Sequence, residues 1–231
     1  MLVVADHQAL VDGAAAVLAD EIAGVLGSSR RCSLALAGGS TPRPVYERLA
    51  GEPYRSTLDW SRLDVYFGDE RAVPADDPDS NFRMARDALL DRVPIPPEAV
   101  HPMYGVAGDL EAAARAYEAR LPAALDVLIL GMGGDGHTAS LFPGSAAARE
   151  EVRRVAVVPD APLAPRLSIT PPTIRAARSI VVLVSGRAKA ERLAEVLEGP
   201  FDPVRLPSQL ARGGVWIVDQ AAAGRLAQEA S

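Results

Sequence analysis

One pattern recurs along the chain: a short, mostly apolar run breaks at its carboxyl end into glycine and a polar segment. Ser33 to Leu36 opens into Ala37-Gly38-Gly39-Ser40-Thr41-Pro42. Leu63 to Phe67 opens into Gly68-Asp69-Glu70-Arg71, and Val127 to Leu130 into Gly131-Met132-Gly133-Gly134-Asp135-Gly136-His137. Such runs read as buried strands. Leu2 to Val4, Val152 to Val158, Arg166 to Thr170, Ile180 to Val184 and Val215 to Val218 are further strand candidates. Helices fall between them. Leu10, Ala14, Val17 or Leu18, Ile22 and Val25 recur at helical spacing before Gly27. Arg43 to Leu49, Ser80 to about Leu90, Leu110 to Arg120, Arg187 to Leu197 and an alanine-rich tail after Val218 complete the set. Strands alternating with helices at this spacing imply a doubly wound α/β fold, a mostly parallel sheet with helices on both faces. The prolines at 94–97 and 159–165 read as loops inside one domain spanning residues 1–231.

Length and composition narrow the function classes. The 231 residues suit one large domain. Only 5% are aromatic, so Ala, Val and Leu must build the core. A net charge of −6 without a dense Lys/Arg block argues against nucleic acid or an anionic membrane as partner. It leaves room for a phosphorylated small molecule held by a few local cations. Cys32 is the only cysteine, which excludes an intrachain disulfide and reads as a buried, inert thiol. Asp6, Asp12, Asp20 and Glu21 interrupt the N-terminal apolar residues, unlike a signal peptide, and no run of about 18 apolar residues occurs. The expected compartment is the cytoplasm, and the expected assembly a monomer or small homo-oligomer.

Candidate chemistry gathers at the carboxyl ends of the strands, where open α/β sheets bind ligands. His137 closes the longest glycine turn, and imidazole suits proton transfer near neutrality. Asp135, two residues earlier, is its nearest acid. Gly131 to Gly136 also matches G-x-G-x-x-G, but a dinucleotide site needs a sustained helix after the third glycine. Pro143 cuts any helix here, and Glu150 and Glu151 precede their strand rather than end it. Gly38, Gly39, Ser40 and Thr41 join a strand to a helix start, where free N–H groups bind anions; an ordinary N-cap is the simpler alternative. Asp69, Glu70 and Arg71 follow a strand directly and read equally well as a solvated turn. Asn81 lies downstream, where Asp79 or Ser80 caps the next helix. Arg166 and Lys189 are the remaining cations of interest.

Together five segments resemble the 6-phosphogluconolactonases, within the wider group that includes glucosamine-6-phosphate deaminases. They are AGGSTP (37–42), FGDERAVPADDPDSN (67–81), LGMGGDGHTASLFPGS (130–145), RLSITPPTI (166–174) and SGRAKA (185–190). The resemblance implies a Rossmann-like fold, hydrolysis of a phosphosugar δ-lactone, and neither metal nor organic cofactor. It implies that His137 is the general base, while Asp69 and Asp135 orient it or hold sugar hydroxyls. Gly39, Ser40, Thr41, Arg166 and Lys189 would grip the phosphate and Asn81 the sugar. Arg71 or backbone N–H groups of the glycine loop would stabilise the oxyanion, a choice left open. Two other readings stand beside this one. The deaminases carry a glutamate five residues after the histidine, where this chain has Phe142, and Asp-Glu-Tyr where it has Asp69-Glu70-Arg71. A non-catalytic phosphosugar sensor would need a DNA-binding segment, which the sequence lacks.

Overall fold

The computed structural model describes residues 1–103 and 109–227. In chain order the elements are β1 (Leu2–Val4), α1 (His7–Ser28), β2 (Cys32–Leu36), α2 (Pro42–Leu49), α3 (Tyr54–Thr57), β3 (Leu63–Phe67), β4 (Asp69–Arg71), α4 (Asn81–Ala88) and α5 (Leu110–Arg120). There follow β5 (Val127–Gly131), β6 (Val155–Val158), β7 (Arg166–Ile169), α6 (Pro171–Ala176), β8 (Ser179–Val184), α7 (Ala190–Glu198), β9 (Val215–Asp219) and α8 (Gln220–Ala223). Six strands form an all-parallel sheet in the order β1-β9-β8-β5-β2-β3. The α/β fold class expected from the sequence holds.

That order fixes the position of the site. The chain runs outward from β2 to β3 on one side, while β5, β8 and β9 lie on the other. The loops leaving β2 and β5 therefore diverge at their carboxyl ends and open a crevice between them. Gly38–Thr41 and Gly131–His137 are those two loops.

A second sheet departs from the sequence reading. Asp69–Arg71, expected to be loop, pairs antiparallel with β7, and β7 pairs antiparallel with β6. Gly68 is the joint, donating to Leu36 O at 2.9 Å and accepting from Ile169 N at 2.9 Å. Strand β6 begins at Val155, not Val152, because Glu150 turns back to accept from Val152 N and Arg153 N. The helix expected from Arg187 is a 3-10 turn over Arg187–Lys189 that continues as α7.

Helix starts follow side-chain chemistry. Asp6, Ser80, Asp109 and Asp219 each accept a hydrogen bond from a first-turn N–H. Pro42 and Pro171 open α2 and α6, where a missing N–H costs nothing. The core is aliphatic, as the composition required, with Trp60, Trp216, Tyr46 and Phe67 its largest fully buried side chains. Two buried tyrosines tie strand ends. Tyr46 hydroxyl accepts from Ala37 N and donates to Ala37 O, both at 2.9 Å. Tyr117 hydroxyl does the same at Phe67, at 2.7 and 3.0 Å. Each satisfies backbone groups where a strand leaves its ladder, and so fixes the start of a site loop.

Candidate active site

The crevice is a cleft of about 370 Å³. Its walls include Gly38 to Thr41 from the β2 loop, Asp69, Arg71 and Asn81 beside β4, and Gly133, Gly134 and His137 from the β5 loop. Arg166 from β7 and Lys189 from the turn before α7 complete it. Every site residue expected from the sequence, except Asp135, thus meets in one cavity.

Asp135 stands behind His137. Its Oδ1 lies 2.6 Å from His137 Nδ1 and accepts from His137 N at 3.1 Å. Burial pushes the Asp135 carboxyl up, but the His137 backbone N–H and imidazole outweigh it and hold the group below its ordinary value. An ionised carboxylate only accepts, so Nδ1 carries the proton in the neutral ring and Nε2 keeps its lone pair. Gly133 makes room for this: a Cβ there would sit 2.1 Å from His137 Nδ1. The loop is closed by Gly133 N donating to His137 O at 2.8 Å and by Ser208, whose hydroxyl also donates to His137 O at 3.0 Å.

Asp69 does not share that role, since it makes no hydrogen bond to His137 among the described residues. Its Oδ1 accepts from Asn81 Nδ2 at 3.0 Å and its Oδ2 from Ser140 Oγ at 2.5 Å. Arg166 Nη1 lies 3.6 Å from Oδ2. Arg166 is itself buried, bonding Ser140 Oγ and Pro162 O. Burial draws its guanidinium below its ordinary value against the opposing pull of Asp69. It remains charged, because arginine does not deprotonate in proteins. Arg71 donates to Asn81 Oδ1 at 2.9 Å and to Asp79 O. The Nε atoms of Arg71 and Arg166 are buried with no partner among the described residues. Both arginines also line the cleft, and two cations on its wall are a setting for an anionic ligand.

Glu70 resolves the solvated-turn alternative. It is 6% exposed, and its carboxylate accepts from Arg71 N, Ser80 Oγ, Asn81 N and Phe82 N. Those bonds seat the start of α4 and with it Asn81. Gly38 then lets Asn81 approach, since a Cβ at Gly38 would lie 1.9 Å from Asn81 Oδ1. Ser80 is the helix cap, accepting from Arg83 N at 3.1 Å. At the β2 loop, Thr41 occupies the N-cap position of α2 without a side-chain cap bond, so its hydroxyl is not spent on capping.

Sequence reasoning missed Ser140, Ser208 and the order imposed by Glu70. Ser140 and Ser208 act through partners 71 residues away, and no local pattern carries such contacts. Phe142 packs its ring 4.8 Å from the His137 ring and 5.6 Å from the Arg166 guanidinium. Cys32 is fully buried, and burial pushes its thiol up to about 12. No helix among the described residues is long and apolar enough to cross a membrane.

Comparison with known proteins identifies the family. The family described as glucosamine-6-phosphate isomerases/6-phosphogluconolactonase matches residues 5–218. A 6-phosphogluconolactonase of Streptomyces coelicolor is 40% identical, covering 96% of this chain and 92% of that protein. One from Synechocystis is 38% identical over 97% of both. The solved 6-phosphogluconolactonase of Trypanosoma brucei superposes with a TM-score of 0.86 at 32% identity, covering 97% of each chain. A monomeric glucosamine-6-phosphate deaminase superposes almost as well, with a TM-score of 0.85 at 26% identity over 97% of this chain and all of that one. The chain belongs to the glucosamine-6-phosphate isomerase/6-phosphogluconolactonase family.

Proposed function

We infer that this chain hydrolyses 6-phospho-D-glucono-1,5-lactone to 6-phospho-D-gluconate, the lactone-opening step of the oxidative pentose phosphate route. The observation that carries the mechanism is the Asp135–His137 pair, set in the same cleft as Arg166 and Lys189. With Nδ1 engaged, His137 Nε2 takes a proton from water as the water oxygen attacks the lactone carbonyl carbon. Arg71 or N–H groups of the glycine loop stabilise the oxyanion. The tetrahedral species collapses by breaking the bond from C1 to the ring oxygen, which receives the proton from His137. The product acid then ionises. Positioned proton transfer of this kind contributes about 10²–10⁴-fold.

The other end of the cleft suits the phosphate. N–H groups of Gly39, Ser40 and Thr41 at the start of α2, with Lys189 and Arg166, offer charge-assisted contacts to a dianion. Asn81 reaches toward the sugar. The deaminase reading meets Phe142 where that chemistry places a glutamate, and a phenyl ring beside His137 relays no proton. The proposed setting is the cytoplasm, with a monomer or small homo-oligomer as the working unit. Arg166→Ala and Lys189→Ala should mainly raise KM for the lactone. Wild-type kinetics in both variants would reject the phosphate assignment.

A further inference from the structure

Outside the reacting centre, three polar side chains from distant parts of the chain converge on the Lys189 end of the cleft. Ser185 lines the cleft directly after β8. Its hydroxyl donates to Asp219 Oδ2 at 2.5 Å, and His7 Nδ1 lies 3.1 Å from the same Ser185 oxygen. Asp219, 3% exposed at the end of β9, also accepts from Gly186 N at 3.0 and 3.1 Å and from Ala222 N at 2.7 Å. Burial by itself raises this carboxyl, but the Ser185 hydroxyl and the Ala222 and Gly186 N–H groups hold it low. The directions of the bonds follow from that charge. Ser185 has one proton and spends it on the carboxylate, so its oxygen accepts from His7, with Nδ1–H as the donor.

This network grips both residues that lead into the turn carrying Lys189. Lys189 N donates to Gly186 O at 3.0 Å, so Gly186, held on its N–H side by Asp219, is held on its carbonyl side by Lys189. None of the three side chains has a place in the proton transfer. We propose that Asp219, Ser185 and His7 form a positioning set for Lys189, fixing the cation that selects phosphorylated over unphosphorylated lactone. Asp219 shapes the turn, Ser185 joins it to the cleft wall, and His7 ties both to the first turn of α1. The proposal rests on the assignment of Lys189 to the phosphate. It extends that assignment to residues that act through Lys189 rather than on the substrate.

The test compares kcat and KM on 6-phosphogluconolactone and on glucono-1,5-lactone for the wild type and for Ser185→Ala, Asp219→Asn, His7→Ala, His7→Asn and Lys189→Ala. Ser185→Ala and Asp219→Asn should each raise KM for the phosphorylated lactone about tenfold, as expected for losing a hydrogen bond to a charged group. Their kcat and their behaviour on the unphosphorylated lactone should stay within about twofold of wild type. His7→Ala should have a smaller effect, about two- to threefold, because His7 is exposed. His7→Asn should restore wild-type KM, since an amide can donate in its place. Asp219→Asn also weakens the cap of α8, so Ser185→Ala, which leaves that cap intact, decides if the first variant fails to fold. If Lys189→Ala raises KM while Ser185→Ala and Asp219→Asn do not, the positioning set is refuted and the phosphate assignment stands. If Lys189→Ala leaves KM unchanged, both fall.

Discussion

Asp135→Asn isolates the charge behind the proposed base. The amide keeps the size of the side chain and an oxygen able to accept from His137 Nδ1, but removes the negative charge. A hydrogen bond to a charged group is worth about 1.5–3 kcal/mol when shielded from water. Here the side chains are 50% and 31% exposed, so solvent screening reduces that to about 1–2 kcal/mol. At 1.36 kcal/mol per decade, kcat should fall about 5–30-fold. A buried orienting carboxylate in a serine-protease triad is worth about 10⁴ by comparison, which sets the ceiling. Asp135 is absent from the cleft wall, so KM should change less than about twofold. Asp135→Ala, which removes the acceptor altogether, should fall further toward the loss expected for His137→Ala, about 10²–10⁴-fold. The assay is loss of freshly made lactone against its spontaneous hydrolysis, with the double variant included. If Asp135 works only through His137, adding Asp135→Asn to His137→Ala should slow the enzyme no further. Wild-type kcat in Asp135→Asn, or an undiminished effect in the His137→Ala background, would show that the carboxylate does not act through the imidazole.

Three further outcomes follow from the packing. Gly38→Ala places a methyl 1.9 Å from Asn81 Oδ1, so it should destabilise by about 1–3 kcal/mol in urea unfolding and displace Arg71, with a rise in KM; wild-type values of both would contradict the close approach. Glu70→Gln turns an NH₂ toward donors that now share a carboxylate oxygen, and should cost about 1–3 kcal/mol at pH 7. Burial raises Glu70, against four opposing donors, so the native state binds its proton more tightly than the unfolded chain. Stability from this group therefore declines as pH rises from about 4.3 through its raised folded value, and Glu70→Gln should flatten that part of the stability profile. Cys32 should not react with thiol reagents at pH 8 until the protein unfolds; rapid labelling of the native state would contradict its burial.

What the sequence made legible has a common physical basis. Strand β3 and helix α5 begin and end where apolar runs and caps place them, because their signals are local. The glycine loops were legible for the same reason: each follows an apolar run directly, which puts it at the carboxyl end of a strand, and both line the cleft. The second sheet was not legible. Asp69, Glu70 and Arg71 look like solvent-facing charges, yet each bonds a partner brought from elsewhere: Asn81 and Ser140 for Asp69, the start of α4 for Glu70, and Asn81 for Arg71. Charge in a sequence signals water only while such partners are out of view. The same limit separated Asp69 from Asp135. Both were candidates to orient His137, and only the fold places Asp135 against the imidazole while committing Asp69 to Asn81 and Ser140.

The most direct measurement is a paired assay on one preparation: lactone loss with fresh 6-phosphogluconolactone, and ammonia release from glucosamine 6-phosphate, for the wild type and His137→Ala. The expected result is lactone loss well above the spontaneous rate, a fall of about 10²–10⁴-fold in His137→Ala with folding intact, and no ammonia from either protein. Ammonia release by the wild type, or unimpaired lactone hydrolysis without His137, would contradict it.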